Sequence, residues 1–432
     1  MDLTNKILKK AEKYGNAEVL LLDAEKTSVT YEKNEISRTE NGTTVTLQIR
    51  LSKGNRFGYS QTTNPTNWEK CLKNANSLLK LANPLEKDLI LTEKIKYRKV
   101  DGIFSKKIKA MSEEEIFKKA KHMFDAAKEV DKRMNIPMAQ VSMGSMGQNF
   151  ANTNGININE RMNLLSAAME ASIGESSGSD SKVSHNDFDF SKVGKNAGEL
   201  CFDSLKPKSI KTMKADLILD YFALSDIIKT ILIPAFGADN VQTDRSFLKG
   251  KLNQKIFSEK VSVIDDALLE NGIFSRSFDS EGTPGQRTVL VENGIVKNYI
   301  YDNYSALKDK VKSTGNCSGI VKVPYVSPTN FIIKPGDYKN EEIISETKEG
   351  VLAKFAFGTH VANVLTGDLS IGLSNAFYVK NGAIVYPIKQ AMVSFNLFEA
   401  LKKVQVIGKT LRQEEEVVAP MMRFDSVQII GS

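Results

Sequence analysis

Asp279 and Glu281 are the residues best placed to do chemistry. They stand in the turn Phe278-Asp-Ser-Glu-Gly-Thr-Pro-Gly285, where Gly282, Pro284 and Gly285 crowd the carboxylates with turn-forming residues. Carboxylates in such a turn can accept backbone N–H bonds, tune a metal ligand or hold the N–H groups of a peptide. Other candidates fail on spacing or setting. The three histidines, His122, His185 and His360, are far apart and none belongs to a His-Glu-x-x-His pair. A zinc site would therefore need distant residues to converge. Gly174-Glu-Ser176-Ser-Gly178 has the spacing of a nucleophile elbow, but that chemistry needs a strained strand-to-helix turn. Here it lies in the polar run 174–184, which reads as a loop. Cys317, in Gly315-Asn-Cys-Ser-Gly319, would need a depressed pKa and a nearby base to act as a nucleophile, and the sequence supplies neither. No phosphate-binding glycine loop of either common spacing is present.

The elements around these residues read as α+β. Residues 2–14 form an amphipathic helix with Leu3, Ile7, Leu8 and Ala11 on one side and Gly15 as a stop. Strand-like segments follow at Ala17–Leu22 and Ser28–Tyr31, and Val45, Leu47, Ile49 and Leu51 alternate. Asn41-Gly42 is expected to turn the chain before this last strand. Residues 66–82 read as helix. The capping box Ser112-x-x-Glu115 starts another, running to about Val130 on a stripe of Ile116, Ala120, Met123, Phe124 and Ala127. Residues 139–173 read as strands around Asn154-Gly155. A helix carrying Val193, Ala197, Leu200, Cys201 and Leu205 then leads to Pro207. The basic, core-poor stretch at 206–214 suggests a boundary between an N-terminal α+β domain, 1–210, of one body or two subdomains, and a β-rich domain, 211–432. In the second half, Thr288–Val291 with Ile295–Tyr301, and Asn375–Val379 with Ala383–Pro387, should be hairpins. Each pair flanks an Asn-Gly, Asn293-Gly294 or Asn381-Gly382, that suits both φ > 0 positions of a type I′ turn.

Composition narrows the function classes. The chain has 432 residues, 41% hydrophobic and 26% charged, as expected of a globular protein of two or three domains. No apolar run reaches the roughly 18 residues of a membrane span, and the charged N-terminus is not a signal peptide. Cys71, Cys201 and Cys317 are too scattered for a disulfide framework, which points to a reducing cytoplasm. The net charge of +7 is spread, and basic runs are broken by Glu and Asp, so a nucleic-acid face is not expected.

Residues 278–306 resemble the signature of the TldD/PmbA (TldE) family: an acidic-Glu-Gly-Thr-Pro turn, a strand, Glu-Asn-Gly and another strand. Asp265-Asp266 upstream, Ser313-Thr314-Gly315-Asn316, Thr366-Gly-Asp-Leu-Ser370 and the closing segment Pro420–Gly431 follow in the family's order. The resemblance is firm over 215–432 and weaker before it. It marks Asp279, Glu281, Gly282, Thr314, Gly315 and Asn316 as the signature turn and a possible peptide-binding site. Active TldD-type subunits carry His-Glu-x-x-x-His on a helix before this region, and a late cysteine adds a ligand. Here Ile233 and Ala238 stand for the histidines and Pro234 for the glutamate, and the late segment RQEEEVVAPMMRF has no cysteine.

The resemblance thus implies the PmbA/TldE-like branch: a non-catalytic or regulatory subunit that binds no metal or cofactor itself. Its zinc-bearing partner would be a TldD-type protease, or it would pair with itself as a dimer, and the substrate would be unfolded peptide, in the cytoplasm. The rival readings are an active peptidase with an unrecognised site, or a stand-alone homodimeric peptide-binding protein. The family also carries an old label, modulator of DNA gyrase, to which the charge pattern lends no support.

Overall fold

A computed structural model describes residues 3–33, 35–320 and 325–431. Helix α1 (Leu3–Ala11) is followed by strands β1 (Asn16–Glu32), β2 (Glu35–Lys53) and β3 (Arg56–Thr62) and helix α2 (Trp68–Leu81). An irregular segment leads to α3 (Lys106–Lys109), α4 (Glu113–Val130), β4 (Asn135–Asn152), β5 (Asn157–Ile173), β6 (Ser176–Ser184) and α5 (Ser191–Asp203). The six strands form one antiparallel sheet in the order β3-β2-β1-β4-β5-β6. Each half of it has a helix–three strands–helix pattern, α1-β1-β2-β3-α2 and α4-β4-β5-β6-α5. Leu47, Ile49 and Leu51 pack on Ile7, Trp68 and Leu72 of the first half, and Val141 and Leu165 pack on Ile116, Met123 and Val193 of the second. The Ser112–Glu115 capping box is formed, with bonds in both directions.

Two expectations about this half fail. Asn41-Gly42 lies inside β2, because the chain reverses earlier, between Glu32 and Glu35. Residues 176–184 are a strand and not a loop. Their Ser and Gly residues suit a sheet edge that a helix overlies closely: a Cβ on Gly178 would come within 2.3 Å of Cys201 N in α5.

The rest of the chain continues with β7 (Met213–Leu219), α6 (Tyr221–Ile227), a π-helical turn (Ile228–Leu232), α7 (Ile233–Phe236) and α8 (Ala238–Gln242). It goes on through β8 (Val263–Asp266), β9 (Arg287–Glu292), β10 (Ile295–Val296), α9 (Asn303–Asp309), β11 (Phe331–Ile333), α10 (Asn340–Ser345) and β12 (Glu349–Phe357). It ends with β13 (Asp368–Lys380), β14 (Ala383–Ile388), β15 (Ala391–Asn396), α11 (Leu397–Lys403), β16 (Val406–Glu414) and β17 (Val417–Gly431). The class is α+β. These strands make an eleven-stranded sheet in which pairing of β17 with β7 closes the ring β17-β15-β13-β12-β7. The largest core cluster fills it, with Leu217, Leu219, Val351, Val393, Met422 and Ile429 from the ring strands.

Both Asn-Gly hairpins are present. Asn293 and Gly294 have φ of 48° and 79°, and Asn381 and Gly382 have 49° and 80°, the positive values a type I′ turn requires. The strand after Gly294 is shorter than expected. It pairs only over Ile295–Val296, after which Tyr299, Ile300 and Tyr301 turn into the core.

Candidate functional site

The signature turn is built around Asp279. Its Oδ1 accepts the N–H groups of Glu281 and Thr283, each at 2.9 Å, and its Oδ2 accepts that of Cys317 at 2.9 Å. One carboxylate thus shapes the turn and pins it to the 313–319 segment. Gly282 has φ +70°, and a Cβ there would sit 2.4 Å from the Phe150 ring, so both backbone and space demand glycine. Gly315 has φ +75°, and its Cβ would fall 2.5 Å from Pro284 O. Thr314 Oγ1 accepts from Tyr301 N at 2.7 Å and donates to Asn316 Oδ1 at 2.6 Å. Asn316 Nδ2 donates to Asp265 Oδ2 at 2.7 Å, and Asp265 Oδ1 accepts Thr329 N at 2.7 Å. Asp279, Glu281, Gly282, Thr314, Gly315 and Asn316 are therefore one constellation.

Glu281 points the other way, into the N-terminal sheet. Its Oε1 accepts Arg50 Nη2 at 2.8 Å and its Oε2 accepts Asn303 N at 3.0 Å. Arg50 Nε in turn donates to Glu18 Oε2 at 2.5 Å. Arg50 and both carboxylates are each no more than 1% exposed. Tyr97 OH donates to Gly282 O at 2.7 Å from the irregular segment after α2. Arg50, Glu18 and Tyr97 were missed by sequence reasoning. The signal existed only in part: the alternation of Leu47, Ile49 and Leu51 puts Arg50 on the opposite face of β2, and Glu18 lies directly across from it in β1.

The electrostatics follow from burial. One guanidinium serves two carboxylates, and Asp279 and Asp302 lie close by. Burial works against the Arg50 cation, but Glu18 and Glu281 outweigh it and hold the proton firmly. Burial raises the Glu281 carboxyl, against the pull of Arg50, and raises Asp279, with Glu281 repelling it further. Burial, then Glu281, pushes Asp302 up to about 6, and burial pushes Asp265 up to about 6. The Cys317 thiol rises well above its ordinary value through burial and the charges of Glu281 and Asp279. That is the reverse of an activated nucleophile. The constellation is a buried lock in which both oxygens of Asp279 and of Glu281 are engaged inside the chain, while among the described residues Glu18 Oε1 and Arg50 Nη1 have no hydrogen-bond partner.

The positions matched to the zinc motif lie elsewhere and do not fit the metal. Ile233 is 8% exposed and Ala238 0%, both inside the main core. Neither side chain has a lone pair to donate. Nor do they share one continuous helix: Gly237 is extended, at φ −66° and ψ 121°, between α7 and α8. Pro234 has no N–H to bond back to the preceding turn, and its ring would crowd a regular helix there. The π-helical turn just before it, where Ile233 N–H bonds to Ile228 O, gives the wider spacing. Among the described residues no three His, Cys, Asp or Glu side chains gather as metal ligands.

The elbow-like serine is structural. Ser176 begins a strand, and its Oγ donates to Ser204 O at 2.9 Å. His185 is buried between two carbonyls, Asn163 O at 2.7 Å and Gly272 O at 3.1 Å, and so ties the two halves together. His122 and His360 are exposed.

Comparison with known proteins places this geometry. Residues 212–431 match the model of the PmbA/TldA metallopeptidase C-terminal domain, 17–79 match domain 1 and 106–205 match the central domain. An uncharacterized protein of Methanocaldococcus jannaschii is 33% identical over 430 residues, covering 98% of this chain and 99% of its own. The chain belongs to the TldD/PmbA metallopeptidase family. A metalloprotease of Methanocaldococcus jannaschii is 33% identical over 231 residues, 51% of each chain. The crystal structure of TldE from Thermococcus kodakarensis has the same fold, with a TM-score of 0.92 over 100% of both chains at 22% identity. Among the described residues no helix is long and apolar enough to cross a membrane.

Proposed function

We propose that this chain is a non-catalytic, regulatory subunit of a TldD/TldE-type metallopeptidase complex that handles unfolded peptides, with the zinc on a TldD-type partner. The observation that supports the reading is the chemistry at Ile233, Pro234 and Ala238, the positions that the resemblance to active TldD-type subunits matches to the metal ligands and the general base. Zinc needs nitrogen, sulfur or oxygen donors, and a water-activating base needs a carboxylate, and these three side chains supply neither. A cytoplasmic setting agrees with Cys71, Cys201 and Cys317 all being free and buried.

The test is purification of the chain alone and together with a zinc-bearing TldD-type subunit of its own organism. Alone, it should carry no stoichiometric zinc, cleave no unfolded peptide and elute as a dimer. A stable dimer should bury at least about 1,600 Å² in total. Together, the two chains should co-elute and cleave. One zinc per chain with peptidase activity in the isolated protein overturns the reading.

A further inference from the structure

A cleft of about 730 Å³ lies between the edge strand β6 and the helix α6 with its π-helical continuation, within the size range of ligand-binding pockets. The carboxylate lock at Glu281 forms no part of it. One wall is aromatic. Phe222 and Phe355 stack with centroids 4.7 Å apart, and Phe274, which also lines the cleft, is 44% exposed. Phe274 thus offers apolar surface to anything that enters the cleft. Among the charged residues of the lining, three carboxylates, Glu414, Glu415 and Asp226, stand against one ammonium, Lys229, which already pairs with Glu415 at the rim. In a chain whose net charge is +7, this local excess of carboxylate runs against the general balance.

Two further observations point to what fits. Ser225 is 5% exposed, and among the described residues its Oγ has no hydrogen-bond partner, although it lines the cleft. A buried hydroxyl without a partner is unfavourable unless a ligand bonds to it. The same aromatic pair also borders a neighbouring cavity, which Arg412 lines. There the Arg412 guanidinium sits 4.3 Å from the Phe222 ring centroid and bonds to Asp180 at 2.7 Å and to Glu414. The chain's own arginine thus shows the chemistry this wall accepts: a planar cation on a ring, with carboxylates at its edge.

We propose that the cleft is a subsite for the cationic side chain, arginine or lysine, of an extended peptide. The alkyl stem would lie between Phe274 and the Phe222–Phe355 pair. The head group would reach Ser225 Oγ and the Glu414–Asp226 side of the lining. This specifies a substrate preference and rests on the peptide-handling role proposed above.

Fluorescence anisotropy with the full chain tests it. The probes are labelled, unstructured Gly/Ser octapeptides whose central residue is arginine, lysine, citrulline, norleucine or glutamate. The arginine and lysine peptides should bind at least about 5-fold tighter than the citrulline and norleucine peptides, a ratio in keeping with one cation–π contact and its charge partners. Phe274→Ser and Asp226→Asn change exposed residues, so the fold should survive, as circular dichroism can verify, and each should cut the preference below about 2-fold. All five peptides binding alike, or a preference that both variants keep, overturns the subsite while leaving the peptide-handling role intact. No binding of any peptide overturns both. N-acetylarginine amide competing as well as the arginine peptide shows a small-cation pocket instead, and also overturns the proposal.

Discussion

Arg50 decides how the signature turn is held. It is a fully buried cation with Glu18 on one side and Glu281 on the other. Removing one member of such a group leaves the others with unmatched charge in a site that water does not reach. The two possible truncations are not equivalent. Glu281→Ala leaves Arg50 paired with Glu18, so its expected effect is a loss of roughly 1–3 kcal/mol and loosening of the turn at Asn303. Arg50→Ala leaves two buried carboxylates with no cation between them and should destabilise by more, roughly 3–5 kcal/mol. Urea unfolding monitored at constant slope gives both numbers. Equal midpoints for the two variants would show that the group does not act as a unit. The acidic turn could be singled out from sequence because Asp279, Glu281 and the glycines around them are adjacent in the chain. Arg50 could not, because its pairing depends on the register of β1 against β2, and a residue-by-residue pattern does not contain that register.

The second helical pair of the N-terminal sheet sets a sharper contest at the scale of elements. Gly194 sits in α5 where it crosses α4, and a Cβ there would lie 1.8 Å from Met123 O. Alanine is the better helix former by about 1 kcal/mol. Overpacking a close helix crossing costs roughly 1–3 kcal/mol, and here the obstacle is backbone, which cannot swing aside. Gly194→Ala is therefore expected to lower the thermal midpoint, while Lys195→Ala, on the exposed side of the same helix, should leave it within experimental error. A raised midpoint for Gly194→Ala would mean that the two helices are not packed this closely. Elements with local chemistry could be read from sequence: the capping box at Ser112 and the Asn-Gly turns carry their reasons within a few residues. β6 could not be read that way. Its Ser, Gly and Asp residues look like a loop, and it is a strand because β5 offers a paired edge, α5 covers Gly178, and Arg412 from the far sheet neutralises the buried Asp180. The resemblance of the two half-sheets was equally hidden, since the pattern of helices and strands repeats and the residues do not.

Across the whole molecule, the two sheets meet through charge and hydrogen bonds as much as through apolar contact. Arg50–Glu281, Arg412–Asp180 and the His185 bridge all cross between them. Several carboxylates at or near these crossings are buried enough to hold protons near neutrality. Burial pushes Glu414 up to about 7 even though Arg412 pulls it down, and Asp180 and Asp220 add repulsion. Asp265 and Asp302 reach about 6. A carboxylate whose folded pKa exceeds its unfolded value binds more protons when folded. The stability it contributes is complete below the unfolded pKa, near 4, and is lost as pH rises through 6 to 7. The carboxylates shifted downward instead, such as Asp131 at about 2, titrate far below this window and leave it unaffected. Lowering the pH from 8 to 6 should therefore stabilise the protein by roughly 2–3 kcal/mol, with Glu414 and the similarly raised Asp279 as the largest contributors because they titrate mid-window. Glu414→Gln cannot titrate, and Arg412 keeps Asp180 as a partner, so the variant should fold and show a gain smaller than the wild type's by roughly 1 kcal/mol. Denaturant midpoints at pH 6, 7 and 8 for both proteins measure it. A wild-type midpoint that falls between pH 8 and 6, or a Glu414→Gln slope equal to the wild type's, would show that these carboxylates are ionised and hydrated and that the contact between the sheets is wetter than the burial of Glu414 and Asp180 implies.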